Sequence, residues 1–261
     1  MRCPLLQLKA RVSTSPGMKY IPIKTRVMQA PQDDLYAVLD RHLPKIMDGD
    51  IILVTSKILA IHQGRCVRVA DVPHKDTLIM KEAEWYIPRA KMRPSVLHTI
   101  KHHTIVSSAG IDHSNGGKDY YVLWPNNINA EAKNIWMYLR KKHRIKKCGV
   151  IITDSHSVPL RLGAVGTSIG FFGIHPLHSY IGTKDLFGRR FSTERTNIID
   201  SIVPLGVFLM GEGKEQTPLC ILRDIPKITY TTRSSFHELV VPMKKDLFYP
   251  ILKSFKKNKK Y

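Results

Sequence analysis

Acidic residues are scarce in this chain of 261: 21 Asp and Glu stand against 41 Lys and Arg, for a formal net charge of +20 at pH 7. Cysteine is scarce as well. Cys3, Cys66, Cys148 and Cys220 lie far apart with no CxxC pair, which excludes a zinc knuckle and a disulfide framework and points to a reducing compartment, the cytoplasm. The longest apolar run, around Ile202 to Met210, is interrupted by Pro204 and Gly206 and is too short to cross a bilayer. There is no internal repeat, and the lysine-rich end is the one low-complexity stretch. An apolar fraction of 43% with 24% charged residues describes a globular chain able to bury a full core.

The excess charge raises the question of nucleic acid, because Lys/Arg surfaces bind phosphate backbones by releasing counterions. It is concentrated in Arg140 to Lys147 (RKKHRIKK) and Lys253 to Lys260 (KSFKKNKK), and neither block is interleaved with a stacking platform of aromatics. Solvated helix ends and a frayed tail account for both more simply, and nucleic acid is not expected as a partner. A positive field equally suits a site for polyanionic substrates. The first seventeen residues are basic and free of acids, a composition like that of a transit peptide, whereas Met18 opens a globular pattern.

The segment Cys148 to Gly173 organises the rest. Val150-Ile151-Ile152 reads as a buried strand running into Thr153-Asp154-Ser155, which would deliver Asp154 to a site. Pro159, Gly163, Gly166 and Gly170 follow, with Arg161 among them, so bare backbone and one cation could cradle phosphate. A core strand followed by a Gly-rich turn has the same pattern.

Elsewhere, Tyr20 to Val27 is strand-like, and Leu35, Val38, Leu39 and Leu43 mark a helix behind Asp33-Asp34. Asp50 to Ile61 reads as an apolar strand broken by Thr55, Ser56 and Lys57, polar groups that need partners or a ligand. Residues 71–100 look helical, punctuated by Pro73, Pro88 and Pro94, with His98 and His102 on one helix face. A histidine zinc site there lacks a carboxylate or third ligand. Ser107 to Gly117 is a small-residue loop presenting Asp112 and Asn115. Tyr120 to Trp124 reads as a strand, Asn129 as a helix cap, and Asn197 to Leu209 as a helix that Pro204 should kink.

Five ordered stretches resemble the coenzyme F420-0:γ-glutamyl ligase family: GDIILVTSKILAIHQGR (Gly49 to Arg65), AGIDHSN (Ala109 to Asn115), VIITDSHSVPLRLG with GTSIGFFGI (Val150 to Ile174), DLFGR (Asp185 to Arg189), and LMGEG before PLCILR (Leu209 to Arg223). The resemblance covers roughly residues 18–225, leaving 1–17 and 226–261 as extensions. It implies an α+β fold of two intertwined subdomains, a homodimer, and an amide-forming enzyme that joins L-glutamate to a carboxylate using GTP with Mg²⁺ or Mn²⁺. Position by position it implies Asp112, Asp154, Ser155 and Glu212 as metal ligands, and Ser56, Asn115 and the Arg26 region on the nucleotide. Lys57 and Arg161 would clamp phosphate in catalysis. Ile61 stands where the family has a second lysine, Ser155-His156-Ser157-Val158 replaces its TFGR, and the N-terminal nucleotide loop near Arg26-Val27 lacks its proline. These departures fall around the acceptor and nucleotide, so the acceptor is either F420-0 or a folate, with the altered loops favouring folate. The alternative is a catalytically degenerate member that binds nucleic acid or another polyanion through its basic surface.

Overall fold

In the computed structural model, which describes residues 17–89 and 96–260, the order is β1 (Lys19–Ile23), α1 (Leu35–His42), β2 (Asp50–Thr55), α2 (Ser56–His62), β3 (Cys66–Arg68), α3 (Lys75–Glu82), β4 (Trp85–Tyr86), β5 (His98–Lys101), β6 (Thr104–Ser107), β7 (Tyr120–Val122), α4 (Ile128–His143), β8 (Cys148–Ser157), β9 (Ala164–Phe172), β10 (Leu177–Ser179), β11 (Arg195–Asn197), α5 (Ile199–Met210), β12 (Leu219–Arg223), α6 (Tyr249–Leu252) and β13 (Lys256–Lys257). The architecture is α+β. Cys3, Pro94 and the leader-like residues 1–16 lie outside the described residues.

The main sheet runs β1-β12-β2-β8-β9, with β2 and β8 parallel and the other neighbours antiparallel. Its central strands are apolar on both sides, and the period of two sorts their residues onto two faces. Ile52, Val54, Val150, Ile152, Leu219 and Ile221 meet α1, α2 and α4 in one core. Ile51, Leu53, Ile151, Cys220 and Leu222 meet α5 in the other, where Ile228, Tyr230, Phe236 and Leu239 from the C-terminal segment close over it. Arg223 grips the fully buried Asp50 through two hydrogen bonds of 2.7 Å each, anchoring β12 to the start of β2.

A smaller sheet, β13-β4-β5-β6, and two-stranded β3-β7 and β10-β11 ribbons accompany the main sheet. The frayed basic tail expected from composition is instead a strand: Lys256–Lys257 pair with β4, and Asn258 donates to the carbonyls of Met80 and Ala83.

Several local expectations change. Asp50 to Ile61 is not one strand, because α2 begins at Ser56. Ile58 to Ile61 are all buried, so no periodicity distinguishes a helix from a strand there. Among the described residues of 71–100 the α-helix is the short α3, and β4 and β5 follow it as strands. His98 lies on β5 and His102 in the left-handed turn to β6, so they share no helix face. Asn127 rather than Asn129 precedes α4; the Asn129 amide oxygen accepts from the Phe171 N–H at 3.0 Å. Helix α5 continues through Pro204 to Met210.

Candidate functional site

Strand β2 ends at Thr55, and the chain turns there into α2, setting Ser56 and Lys57 at the rim of a cleft of about 400 Å³. Beside it β8 carries Asp154 and Ser155. Asp154 is not at the strand's end; β8 continues to Ser157, and a register shift between Ile152 and Thr153 re-aims the residues that follow. Asp112 comes from a different layer, bridged to Val122 of the β3-β7 ribbon. The loop after α5 supplies Gly211 to Pro218, and the segment after β1 supplies Thr25 to Met28.

The two aspartates, remote in sequence, line this one cleft with Lys57 between them. The Lys57 Nζ lies 2.5 Å from Asp112 Oδ2 and 2.7 Å from the Ser114 carbonyl oxygen. Ser114 also donates to Asp112 through its N–H at 2.8 Å and through its hydroxyl. Although burial opposes ionisation of Asp112, the Lys57 charge and these bonds hold its carboxyl below the ordinary range. Asp154 goes the other way. Burial pushes it up to about 6, Asp112's charge adds to the rise, and donation from the Trp124 indole N–H, the Ser155 N–H and the charge of Lys57 only partly offset it.

The site therefore holds more negative charge than Lys57 balances, which is the environment a divalent cation fits. The donor set is all oxygen: two carboxylates, the Ser155 hydroxyl and Glu212, whose Oε2 accepts from Ser155 Oγ at 3.3 Å. Among the described residues no three His, Cys, Asp or Glu side chains form a complete cage. Such a half-set suits Mg²⁺ or Mn²⁺, which completes its shell with water and substrate phosphate.

Of the other expected residues, Ser56 lines the cleft and is buried. Asn115 lines it too and donates to the Gly213 carbonyl at 3.0 Å, tying its loop to the one carrying Glu212. Arg26 is on the wall but is held by Asp33 in a bidentate pair of 2.5 and 2.7 Å, which depresses Asp33 far below the usual carboxylate range. Arg161 is not brought to the cleft. It sits in the exposed β8–β9 hairpin tip beside Leu160 and Leu162. Gly166 and Gly170 serve packing: a Cβ on Gly166 would fall 2.5 Å from Val207 Cβ, and one on Gly170 2.5 Å from Ile128 Cγ2.

Trp124 is the functional residue that the sequence did not reveal. It is buried, donates to Asp154, and packs over Gly110, where an added Cβ would come within 2.1 Å of its Nε1. Its only signal was an aromatic at the close of a strand. Ile58, Ile61, Val27 and Met28 also line the cleft, adding apolar surface to its walls.

Comparison with known proteins gives one consistent answer. A sequence model of the family described as F420-0:Gamma-glutamyl ligase matches residues 22–224. The chain is similar to the coenzyme F420:L-glutamate ligase of Methanosarcina barkeri, at 32% identity over 73% of this chain and 79% of the relative. It is 30% identical to that of Methanocaldococcus jannaschii over 78% and 86%, and 26% identical to that of Methanothermobacter thermautotrophicus over 89% and 99%.

Proposed function

The chain belongs to the F420-0:γ-glutamyl ligase family, and from that premise we propose that it is a nucleotide-dependent ligase joining L-glutamate to a carboxylate through an amide bond. The observation that carries this reading is the meeting of Asp112 and Asp154, from separate sheets, around Lys57 in one polar cleft.

A carboxylate does not condense with an amine near neutral pH until its oxygen becomes a good leaving group. In the proposed course an acceptor carboxylate oxygen attacks the γ-phosphorus of GTP, releasing the nucleoside diphosphate and forming an acyl phosphate. The glutamate amine then attacks the acyl carbon, phosphate leaves, and the amine loses its proton to solvent. Asp112, Asp154, Ser155 and Glu212 would hold Mg²⁺ or Mn²⁺, which when bound neutralises charge developing on phosphate oxygens. Lys57 is placed to exchange Asp112 for a phosphate oxygen as its partner. Trp124 fixes the Asp154 carboxyl, and Ser56 and Asn115 orient the nucleotide. The apolar residues Val27, Met28, Ile58 and Ile61 keep water from part of the cleft.

The names of the relatives support F420-0 as acceptor. Ile61 and the Ser155-His156-Ser157-Val158 sequence depart from the family pattern and favour a folate, whose γ-carboxylate is chemically equivalent. We further propose a homodimer with the intertwined subdomains of the family, working in the cytoplasm; the unpaired Cys66, Cys148 and Cys220 agree with a reducing compartment. No helix among the described residues is long and apolar enough to cross a membrane.

The test is incubation with GTP or ATP, Mg²⁺ or Mn²⁺, glutamate and either F420-0 or tetrahydrofolate, followed by mass spectrometry. A gain of glutamyl units with matching nucleotide cleavage is expected for one acceptor. No mass gain in any pairing would overturn the ligase reading.

A further inference from the structure

The excess charge is not spread evenly, and its densest part lies away from the cleft. Strands β2 and β8 run parallel, so their first residues, Asp50 and Cys148, share one end of the main sheet while Thr55 and Asp154 share the other. The five steps from Asp50 to Thr55 at about 3.3 Å each separate the two ends by about 16 Å. At the far end the C-terminus of α1, the loop before β2, the C-terminus of α4 and the turn before β8 are tied together. Asp40 on α1 pairs with Lys142 on α4 at 2.5 Å, and the Ile46 N–H donates to His143 Nδ1 at 3.2 Å. Asp48 accepts from the N–H groups of Lys146 and Lys147 at 2.6 and 3.0 Å.

This knot brings Arg41, Lys45, Lys141, Arg144, Lys146 and Lys147 onto one pole, all exposed, and none makes an ion pair among the described residues. Three carboxylates at this end are engaged: Asp40 by Lys142 and Tyr138, Asp48 by backbone, and Asp50 by Arg223. Helix dipoles explain cations in the last turns of α1 and α4. They do not explain Lys45, Lys146 and Lys147, which lie beyond both helices.

We propose that this pole is a docking surface for the phosphate backbone of a nucleic-acid duplex. Single strands are recognised by stacking bases on exposed rings, and here Trp136 is buried with Arg140 over its face at 4.3 Å, while Tyr138 is tied to Asp40. A membrane surface calls for apolar groups that insert as well as charge, and the large apolar side chains exposed near these cations are Met47 and Met137. What remains is a rigid array of cations without an insertion wedge or a stacking platform, which reads spacing and charge but not sequence. The surface is separate from the cleft, so the proposal stands whether or not the ligase reading does.

The test is fluorescence anisotropy of the full chain with DNA and RNA duplexes of about 20 base pairs, from about 50 to about 200 mM salt. It is paired with sedimentation on phosphatidylserine vesicles. Two charge-reversed variants are compared: Lys141→Glu/Arg144→Glu/Lys146→Glu at the pole, and Lys256→Glu/Lys257→Glu/Lys259→Glu in the C-terminal strand. All six positions are exposed, and thermal melting checks that each variant folds. Engaging about five phosphates, the wild type should bind duplex with a log–log salt slope near −4.5. The pole variant should lose about tenfold or more in affinity and about three units of slope, and the strand variant should bind like wild type. Four results would each overturn the proposal: no duplex binding at the lower salt, equal binding by the pole variant, loss in the strand variant instead, or capture by vesicles without duplex binding.

Discussion

Replacing Asp154 by asparagine in the metal-free protein should make it more stable while removing its response to metal. Burial raises the Asp154 carboxyl from 3.8 to about 6. In the unfolded chain it ionises near its ordinary value, so between these limits the folded state binds the extra proton. Stability therefore falls as pH rises through that window and stays lowered above it. A shift of roughly two units corresponds to about 3 kcal/mol of destabilisation at around pH 8. Asparagine keeps an acceptor for the Trp124 indole and the Ser155 N–H but carries no charge. In EDTA near pH 8, Asp154→Asn should then melt about 6–12 °C above wild type at about 2–4 °C per kcal/mol, and near pH 4 the difference should almost vanish. Excess Mn²⁺ should add about 2–3 kcal/mol to the wild type at a hundredfold its dissociation constant and nothing to the variant. Scanning calorimetry at the two pH values, with and without Mn²⁺, reads all three effects. If the variant melts below wild type in EDTA near pH 8, the charged carboxyl is a net stabiliser and the account of the site is wrong.

Trp124→Phe keeps the ring and deletes the donor to Asp154; losing a hydrogen bond to a charged group, worth about 1.5–3 kcal/mol, should weaken Mn²⁺ binding about ten- to hundredfold in a calorimetric titration. Gly110→Ala should be more damaging, because Gly110 has a φ of +72° and its new methyl would collide with Trp124; a melting temperature within a degree of wild type would contradict the packing described. Arg223→Ala strands the buried Asp50 and should lower unfolding free energy by about 3–5 kcal/mol in urea titration. Deleting residues 256–261 opens the β4 edge and frees the Met80 and Ala83 carbonyls, so amide hydrogen exchange should quicken in β4 while β2 and β8 stay protected.

That Asp112 and Asp154 share one cleft could be anticipated because both sit in short, ordered motifs, and α1 was legible because its apolar residues keep a helical period. Other features were hidden for definable reasons. In helix α2 the run Ile58 to Ile61 is buried residue after residue, so it shows no helical period. Glycines 166 and 170 look like a phosphate cradle until α5 and α4 are seen pressed against them. Arg161 shares a motif with Asp154 but is carried off by the hairpin, because a strand of period two separates neighbours as readily as it joins distant residues. The lysine-rich end has the composition of a solvated tail, and only the unpaired edge of β4 turns it into a strand.

Asp112 hangs from the β3-β7 ribbon and Asp154 from the main sheet. An ion gripped by both carboxyls would thus act as a rivet between two layers that also meet there through Lys57, Trp124 and the Asn115–Gly213 bond. Loading it should damp the breathing of one layer against the other before any bond is made or broken, so a rigid cleft would be a consequence of the cofactor rather than a precondition for it.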